Sequence, residues 1–275
     1  MKTQLDLAEI TSRNNVQITD RHGRETNSST ILFVHGFGCD CTMWRYVTPR
    51  FEADYRVITL DLVGSGKSDI SAFNPDRYST LEGYARDILE VAEVLELEKA
   101  ILVGHSVSAI IGAIAAIEQP DRFSDLIMVA PSPCYINDPP NYYGGFERID
   151  LDEMFDLMDK NYMGWANFLA PLVMGTQSPE LTQELETSFC STDPLTARTF
   201  AQATFYSDYR SILCQVPIPC LVLQCSDDAI APLEVGEYVQ QNLPHSTLVK
   251  MSATGHCPHL SHPEETIEAI GNYLK

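Results

Sequence analysis

The sequence predicts an α/β fold with a mostly parallel central sheet, helices on both faces and an inserted helical cap. Short runs rich in β-branched residues alternate with helical patterns along most of the 275 residues, which is typical of a parallel sheet covered by helices. The alternation stops between residues 130 and 220, where the pattern stays helical. A hydrophobic content of 44% in a chain of this length is enough for a sizeable core.

Seven segments have the length and composition of buried strands, and turn-forming residues bound them. The predicted strands are residues 16–19, 31–35, 57–61, 100–104, 126–129, 220–224 and 247–251. Helices are predicted at residues 81–97, where apolar side chains recur at helical spacing, at the almost entirely apolar segment 107–118, and at 263–274.

Residues 131–206 are predicted to form the helical cap, with residues 1–130 and 207–275 as the core. Prolines and glycines crowd residues 131–145, and no strand-like run follows them. Apolar stripes recur at residues 151–158 and 165–172, although Pro171 interrupts the second, and further helices are predicted at 179–188 and 194–205. Such stripes fit ordinary core packing and a cap that lines a pocket equally well.

The charge balance argues against polyanionic partners. There are 18 Lys and Arg residues against 38 Asp and Glu, so the formal net charge is -20. A protein of this charge repels nucleic acid phosphates and anionic lipid surfaces. We therefore expect neither nucleic acid nor membrane as a partner.

The sequence lacks the features of exported, membrane-spanning or metal-binding chains. No apolar run approaches the roughly 20 residues that span a bilayer, and Lys2, Asp6 and Glu9 interrupt the stretch where a signal peptide would be apolar. The eight cysteines form no Cys-x-x-Cys pair, and several lie in apolar runs. We expect a cytoplasmic protein with reduced, mostly buried thiols, no cofactor and no bound metal.

A serine occupies the junction between a predicted strand and a predicted helix. Gly-His-Ser-Val-Ser at residues 104–108 follows the apolar run 100–103, and the helical segment begins at once. This context is typical of a nucleophile elbow, in which a sharp turn projects the hydroxyl away from the sheet, so Ser106 is the candidate nucleophile. Ser108 replaces the second glycine of the G-x-S-x-G motif, and its small size is compatible with close packing of strand and helix.

A serine nucleophile needs a base and an acid, which follow it in the order acid, then histidine, in the α/β-hydrolase fold. The predicted strand 220–224 leads into Asp227 and Asp228. We favour Asp228, four residues before the proline that begins the next helix, and interpret Asp227 as a solvated turn residue or a helix cap. His256 lies in a glycine-tethered loop after the last strand and is the candidate base.

Other histidines near His256 or Ser106 in sequence are alternative candidates for a functional role. We interpret His259 and His262 as helix-cap or pocket-rim residues and His105 as a packing residue. A His-x-x-His-x-x-His metal site at residues 256–262 is the alternative, although no cysteine or carboxylate ligand set accompanies it.

Two glycine-containing segments follow strands and have different interpretations. His-Gly-Phe-Gly at residues 35–38 occupies the place from which this fold contributes an oxyanion donor, so the backbone N–H groups of Phe37 and Val107 are the candidate oxyanion hole. Gly-Ser-Gly-Lys-Ser at residues 64–68 resembles the end of a phosphate loop, but the required first glycine falls on Asp61. A tight turn is predicted there instead.

These and further motifs resemble the family of RsbQ, the bacterial regulator of the sigma-B stress response, and of the plant strigolactone and karrikin receptors. The resemblance covers nearly everything after about residue 29. It is carried by Val-His-Gly-Phe-Gly-Cys-Asp at residues 34–40, Asp-Leu-Val-Gly-Ser-Gly at 61–66, Val-Gly-His-Ser-Val-Ser at 103–108, Pro-Ser-Pro-Cys-Tyr-Ile-Asn-Asp at 131–138, Phe-Cys-Ser-Thr-Asp-Pro at 189–194 and Gly-His-Cys-Pro-His at 255–259.

The resemblance implies an α/β-hydrolase with a helical cap over a small apolar cavity and a triad of Ser106, Asp228 and His256. It implies slow hydrolysis of a small lipophilic ester or lactone in stress or small-molecule signalling, with a PAS-domain phosphatase or another signalling protein as partner. The competing hypothesis is a ligand receptor with a vestigial triad that signals through a protein partner. The acidic residues at 147–159 then offer a partner surface, or simply a solvated helix face.

Overall fold

The computed structural model describes residues 5–20, 29–175 and 178–275. Within them, one sheet has the strand order β1-β3-β2-β4-β5-β6-β7, in which β1 runs antiparallel to β3 and the other neighbours are parallel. The predicted mostly parallel sheet is thus confirmed. The strands are β1 (Gln17–Thr19), β2 (Thr30–Val34), β3 (Arg56–Leu60), β4 (Ala100–His105), β5 (Phe123–Val129), β6 (Cys220–Asp227) and β7 (Ser246–Thr254).

The described residues also form α-helices, none of them long and apolar enough to cross a membrane. The predicted helices are present, with ends that differ by a few residues, whereas the short helices α1, α2 and α10 were not predicted. The helices are α1 (Leu7–Arg13), α2 (Pro75–Tyr78), α3 (Leu81–Val94), α4 (Val107–Glu118), α5 (Arg148–Lys160), α6 (Tyr162–Met174), α7 (Pro179–Ser191), α8 (Pro194–Phe205), α9 (Leu233–Asn242), α10 (Pro258–Ser261) and α11 (Pro263–Tyr273).

The sheet separates two apolar clusters because successive side chains of a strand point to opposite faces. Along β2, Leu32 and Val34 pack with the cluster that includes α3 and α4, whereas Ile31 and Phe33 pack with the cluster that includes Ile270 of α11. The residues of β2 are buried along its whole length, as expected for a strand covered on both sides. This two-sided cover fixes the strand ends that carry the candidate site.

The helices α5 to α8, which we call the helical insertion, lie between β5 and β6 in sequence and have their own apolar cluster. The stripe of α5 is buried as predicted. In the stripe of α6, Trp165 and Leu169 are buried, whereas Phe168 is 59% exposed and Val173 completes the buried face. The division into a cap at 131–206 and a core stays a prediction.

The segment after β3 forms the tight turn that the sequence predicts in place of a phosphate loop. Gly64 and Gly66 have positive φ, and the Ser65 N–H donates to the Leu62 carbonyl at 2.9 Å. The buried Asp61 carboxylate accepts hydrogen bonds from side-chain and backbone N–H groups, among them the Lys67 amide at 2.8 Å. The Asp61 carboxylate therefore has a structural role, because its hydrogen bonds stabilise the turn.

The N-terminal helix α1 is joined to the core by ion pairs. Asp87 of α3 is fully buried and pairs with Arg13 of α1 at 3.2 Å and with Arg77 of α2 at 2.5 Å. Tyr78 adds a hydrogen bond from its hydroxyl at 3.0 Å. Removal of one member would leave an uncompensated buried charge, which is strongly destabilising. These ion pairs therefore help to anchor α1, which has little apolar surface.

The eight cysteines are free thiols, and Cys39, Cys134, Cys220, Cys225 and Cys257 are buried. Burial raises the pKa of Cys220 to about 12, so its thiol stays protonated at neutral pH. These cysteines behave as small apolar side chains of the core.

Candidate active site

A sharp turn between β4 and α4 carries Ser106. Its backbone has φ 55° and ψ -124°, a conformation that side-chain-bearing residues adopt at a cost of about 1–3 kcal/mol. Hydrogen bonds hold it on both sides, because the Ser106 N–H donates to the Val129 carbonyl at 2.8 Å and the Ser106 carbonyl accepts from the Ala109 N–H at 3.0 Å. The serine predicted as nucleophile therefore stands in a strained turn between strand and helix.

Close packing of β4 against α4 explains the residues around the turn. A Cβ on Gly104 would lie 2.3 Å from the Ser108 carbonyl oxygen, so no larger residue fits there. Ser108 itself is fully buried, and its hydroxyl donates to the His35 carbonyl at 2.5 Å. The residue that departs from the G-x-S-x-G motif thus ties the start of α4 to the residue that follows β2.

Three side chains from three strand ends form one hydrogen-bonded chain. Ser106 Oγ lies 2.8 Å from Nε2 of His256, and Nδ1 of His256 lies 2.7 Å from Oδ2 of Asp228. All three residues are buried. Because a carboxylate only accepts, Nδ1 of the neutral imidazole carries the proton and Nε2 is left to accept the serine hydroxyl. This is the arrangement that can activate a serine.

The two adjacent carboxylates have different positions. Asp228 directs Oδ2 at His256, and its Oδ1 accepts from the N–H groups of Ile230 and Ala231 at 2.8 and 3.0 Å, which fixes the carboxylate in place. Asp227 is exposed, and its backbone carbonyl accepts from the Gly255 N–H at 2.7 Å. Only Asp228 contacts the histidine, in agreement with the preference based on the sequence.

The loop that carries His256 is held from two directions. The His256 N–H donates to the Val173 carbonyl of α6 at 2.7 Å, and the His256 carbonyl lies 2.8 Å from Nε2 of His105. Gly255 has φ 79°, and a Cβ there would lie 2.1 Å from the Met174 carbonyl oxygen. The helical insertion therefore contacts the backbone of the candidate base directly. His105, predicted as a packing residue, also makes a specific hydrogen bond.

The candidate oxyanion donors flank Ser106. Residues 36–39 form a turn closed by a 3.3 Å hydrogen bond, and Gly38 supplies the positive φ of 70° that a type II turn requires at this position. A Cβ on Gly36 would lie 3.2 Å from the Ser106 Cβ, so the turn borders the serine. Among the described residues, neither the Phe37 nor the Val107 amide donates to a backbone carbonyl, so both remain available.

Ser106 faces a small enclosed cavity beneath the helical insertion. Its free volume of about 20 Å³ holds little more than one water molecule, so a ligand enters only if the walls move apart. A second cavity, of about 10 Å³, is also lined by Phe37 and Phe189. Core and insertion share the apolar lining of the first cavity, which includes Phe37, Leu169, Val173, Phe189, Phe205 and Ile230.

Tyr135 is a site residue to which the sequence analysis gave no role. Its hydroxyl lies 3.3 Å from Ser106 Oγ, and the side chain is buried in the same cavity. Burial raises the pKa of this phenol, so it stays protonated. With the Ser106 hydroxyl directed at His256, Tyr135 donates to the serine oxygen. Its place after β5, at the sheet edge where Ser106 lies, was the available signal.

Of the two histidines interpreted as helix-cap or pocket-rim residues, one is placed as expected and one is not. His262 occupies the N-cap of α11, as interpreted, but His259 is fully buried rather than at a pocket rim. Its ring lies between those of Trp44 and His105, with both centroids 4.4 Å away and the ring planes tilted by 31° and 58°. Burial lowers its pKa to about 3, so the imidazole is neutral.

One histidine–cysteine cluster approaches the composition of a metal site. Ligand atoms of His105, Cys257 and His259 lie within 4.8 Å of one another. Ligands of a tetrahedral zinc ion at bond lengths of 2.0–2.3 Å are roughly 3.5 Å apart, and Nε2 of His105 already lies 2.8 Å from the His256 carbonyl. The cluster would have to contract and lose that contact to hold an ion, so it packs as a support of the His256 loop.

A sequence model described as the alpha/beta hydrolase family matches residues 31–269. Karrikin insensitive 2 receptor CA of Petunia hybrida is 40% identical over 251 residues, which cover 90% of this chain and 93% of that protein. A strigolactone esterase of Arabidopsis thaliana is 36% identical over 250 residues, which cover 90% and 93%. Among solved structures, a hydrolase from Oleispira antarctica is similar with a TM-score of 0.94 and 48% identity, over 98% of this chain and 97% of that one.

The contact between the oxyanion turn and the elbow predicts a large effect of a small substitution. In Gly36→Ala, the new Cβ would lie 2.5 Å from Nδ1 of His105 and 3.2 Å from Ser106 Cβ, so backbone must move. We expect a loss of about 1–3 kcal/mol, or roughly 3–10 °C in Tm by thermal unfolding.

The matched control is Gly271→Ala in α11, where the added Cβ meets nothing within 4 Å. Alanine is the better helix former, so this variant should gain stability, by about 0.5–1 kcal/mol. Equal Tm values for the two variants would contradict the packing described for the turn.

Proposed function

Because the chain belongs to the alpha/beta hydrolase family, we propose that it is a serine hydrolase that cleaves a small lipophilic ester or lactone. The observation that carries the proposal is the hydrogen-bonded chain from Asp228 through His256 to Ser106, at distances of 2.7 and 2.8 Å. One fold can serve many unrelated activities. These side chains and the cavity in front of them, rather than the fold, therefore support the proposal.

In the proposed first step, His256 accepts the hydroxyl proton of Ser106 while Oγ attacks the scissile carbonyl. Asp228 holds the imidazole in the required tautomer and stabilises the imidazolium that forms. The carbonyl oxygen becomes an oxyanion, which the backbone N–H groups of Phe37 and Val107 stabilise by hydrogen bonds. The imidazolium then gives the proton to the leaving oxygen, and the alcohol departs from an acyl-enzyme.

In the proposed second step, His256 takes a proton from water, and the hydroxide attacks the acyl-enzyme. The oxyanion forms in the same place, and its collapse returns the proton to Ser106 Oγ and releases the carboxylic acid. For a lactone, alcohol and acid remain one molecule. Tyr135, 3.3 Å from Ser106 Oγ, adds a hydrogen-bond donor next to the reacting oxygen.

The cavity supports the choice of a small, lipophilic substrate. Its lining is mainly aromatic and aliphatic, and its volume of about 20 Å³ leaves room only for a small molecule, and only once the walls move. Because the helical insertion encloses it, access and product release require motion of these helices, and we expect slow turnover for that reason.

A ligand receptor is the second candidate function. It is supported by the 40% identity to a protein named a karrikin insensitive 2 receptor and by the hydrogen bond between the His256 N–H and the Val173 carbonyl, which connects the triad to the helical insertion. A link to stress signalling through a PAS-domain phosphatase rests on the RsbQ-like motifs alone and stays a proposal.

The acidic residues of α5 give this partner hypothesis little support. Asp156 pairs with Lys160 at 2.6 Å, and Asp159 pairs with Arg198. Asp152 accepts from the Tyr206 hydroxyl at 2.6 Å. These carboxylates are engaged within the chain, which favours the interpretation of a solvated helix face.

Ser106→Ala tests the nucleophile. Hydrolysis of p-nitrophenyl butyrate should fall by about 10⁴-fold or more, because the attacking oxygen is absent. The exposed Ser71→Ala should keep wild-type turnover. In parallel, a fluorophosphonate should add one adduct to the wild type, on Ser106 by peptide mass spectrometry. Turnover retained in Ser106→Ala would refute the assignment.

Asp228→Asn and Asp227→Asn form a matched pair of isosteric changes. In Asp228→Asn, the amide oxygen would keep the bonds from the backbone N–H groups, so the NH₂ group would face Nδ1 of His256. The imidazole would then adopt the other tautomer, and kcat should fall by about 10⁴-fold. Asp227 contributes its backbone carbonyl, which asparagine keeps, so activity should change less than about 2-fold. Equal effects in the two variants would remove Asp228 from the mechanism.

The receptor hypothesis predicts that ligand occupancy changes the helical insertion independently of turnover. A butenolide should shift the Tm of Ser106→Ala and slow hydrogen exchange in α6 of this variant, because binding stabilises the occupied state. Exchange in α11, which lies away from the cavity, is the internal control. A butenolide that is hydrolysed by the wild type but leaves Tm and exchange of Ser106→Ala unchanged would count against a receptor.

A further inference from the structure

The catalytic cavity contains one hydroxyl that no contact within the protein explains. Thr204 lies near the end of α8, is 1% exposed and lines the cavity together with Ser106 and Tyr135. Its Oγ1 has no hydrogen-bond partner among the described residues, whereas the Tyr135 hydroxyl reaches Ser106 Oγ. Buried polar groups nearly always have partners, so an isolated one in a ligand cavity calls for an explanation.

Other threonines of α8 show that the free hydroxyl is specific to this position. Thr199 donates to the Leu195 carbonyl one turn earlier at 2.9 Å, the usual bond of a helical threonine. Thr196, at the start of the helix, is paired with Asp193 at 3.1 Å. Thr204 makes neither kind of bond, so its hydroxyl remains available to a molecule in the cavity.

The rest of the cavity limits what that molecule can present. The reacting end of the substrate is committed to Ser106 and the oxyanion donors, and the rest of the lining includes Leu169, Val173 and Phe205, which offer only apolar contact. A wholly hydrocarbon substrate would leave the hydroxyl buried and unpaired. A substrate with a second oxygen would accept a hydrogen bond from the Thr204 hydroxyl. A pocket discriminates strongly against a substrate that leaves such a buried hydroxyl unpaired.

We propose that Thr204 is a specificity-determining residue that hydrogen-bonds an oxygen of the substrate other than the scissile ester group. The substrate class is then a small oxygenated ester or lactone, with an ether, hydroxyl or carbonyl oxygen in its acyl or ring portion. This inference rests on the proposed hydrolysis at Ser106.

The experiment compares esters that differ by an oxygen. Wild type and Thr204→Val are assayed with p-nitrophenyl butyrate, with its ether isostere p-nitrophenyl methoxyacetate and with p-nitrophenyl 3-hydroxybutyrate. Valine keeps the shape of threonine and removes the hydroxyl. For each oxygenated ester, the ratio of its kcat/KM to that for butyrate is compared between the two enzymes, so that differences in chemical reactivity between the esters cancel. We expect Thr204→Val to lower this ratio by about 3- to 10-fold for at least one oxygenated ester, the effect of one hydrogen bond.

Two controls separate recognition from structure. Thr199→Val, on the same helix but half-buried and outside the lining of the cavity, should leave both ratios unchanged. The Tm of Thr204→Val should stay equal or rise, since an unpaired buried hydroxyl is replaced by a methyl group. Ratios within 2-fold of wild type for both oxygenated esters, or a fall in Tm as the main effect, would overturn the proposal.

Failure of this inference is distinguishable from failure of the proposed function. If the wild type hydrolyses these esters, Ser106→Ala does not, and Thr204→Val leaves the ratios unchanged, only the role of Thr204 is wrong. If Ser106→Ala hydrolyses them as the wild type does, the proposed hydrolase mechanism fails and the role of Thr204 fails with it.

Discussion

The strained turn at Ser106 is the constraint on which the site depends. A positive φ at a residue with a side chain is unfavourable by about 1–3 kcal/mol, and it persists because the surroundings leave no alternative. The Ser106 N–H is bound to β5, Gly104 packs against the Ser108 backbone, and the Ser108 hydroxyl is bound to the residue after β2. Three neighbouring strands thus hold one serine, and the same packing sets the oxyanion turn beside it.

The helical insertion supports the site as well as covering it. Gly175, at the end of α6, and Gly255, next to the candidate base, approach so closely that a Cβ on Gly175 would lie 2.4 Å from the Gly255 Cα. The Val173 carbonyl accepts the His256 N–H in the same contact. A displacement of α6 would therefore move the backbone of His256, so access to the cavity and alignment of the triad are mechanically connected. A hydrolase that works slowly and a receptor that reports occupancy would both use this connection.

The strands and most helices could be predicted from the sequence because each depends on local pattern, and the three candidate triad residues could be proposed from chain order. The strand–serine–helix junction and the acid and histidine after later strands follow from the topology of the sheet. Tertiary packing instead determines the exposure and surroundings of Phe168, Tyr135 and His259, so these could not be predicted. Helical spacing cannot tell which apolar residue of α6 stays exposed, and nothing near His259 in sequence indicates that its ring packs between Trp44 and His105. The sequence shows that Ser108 departs from the G-x-S-x-G motif, but its hydrogen bond to the His35 carbonyl depends on how the strands pack.

The polarity of the cavity connects these observations to the choice of ligand. Ser106, His256 and Tyr135 satisfy one another in the resting site, so an apolar ligand could enter without breaking their hydrogen bonds. Thr204 is not satisfied in this way, and it lies on the helical insertion rather than on the core that carries the triad. A ligand bonded at both ends would therefore link the insertion to the nucleophile. Because binding shifts a conformational equilibrium only through contacts that differ between states, such a ligand would bias the insertion toward its closed position, whereas one held at the serine alone would not.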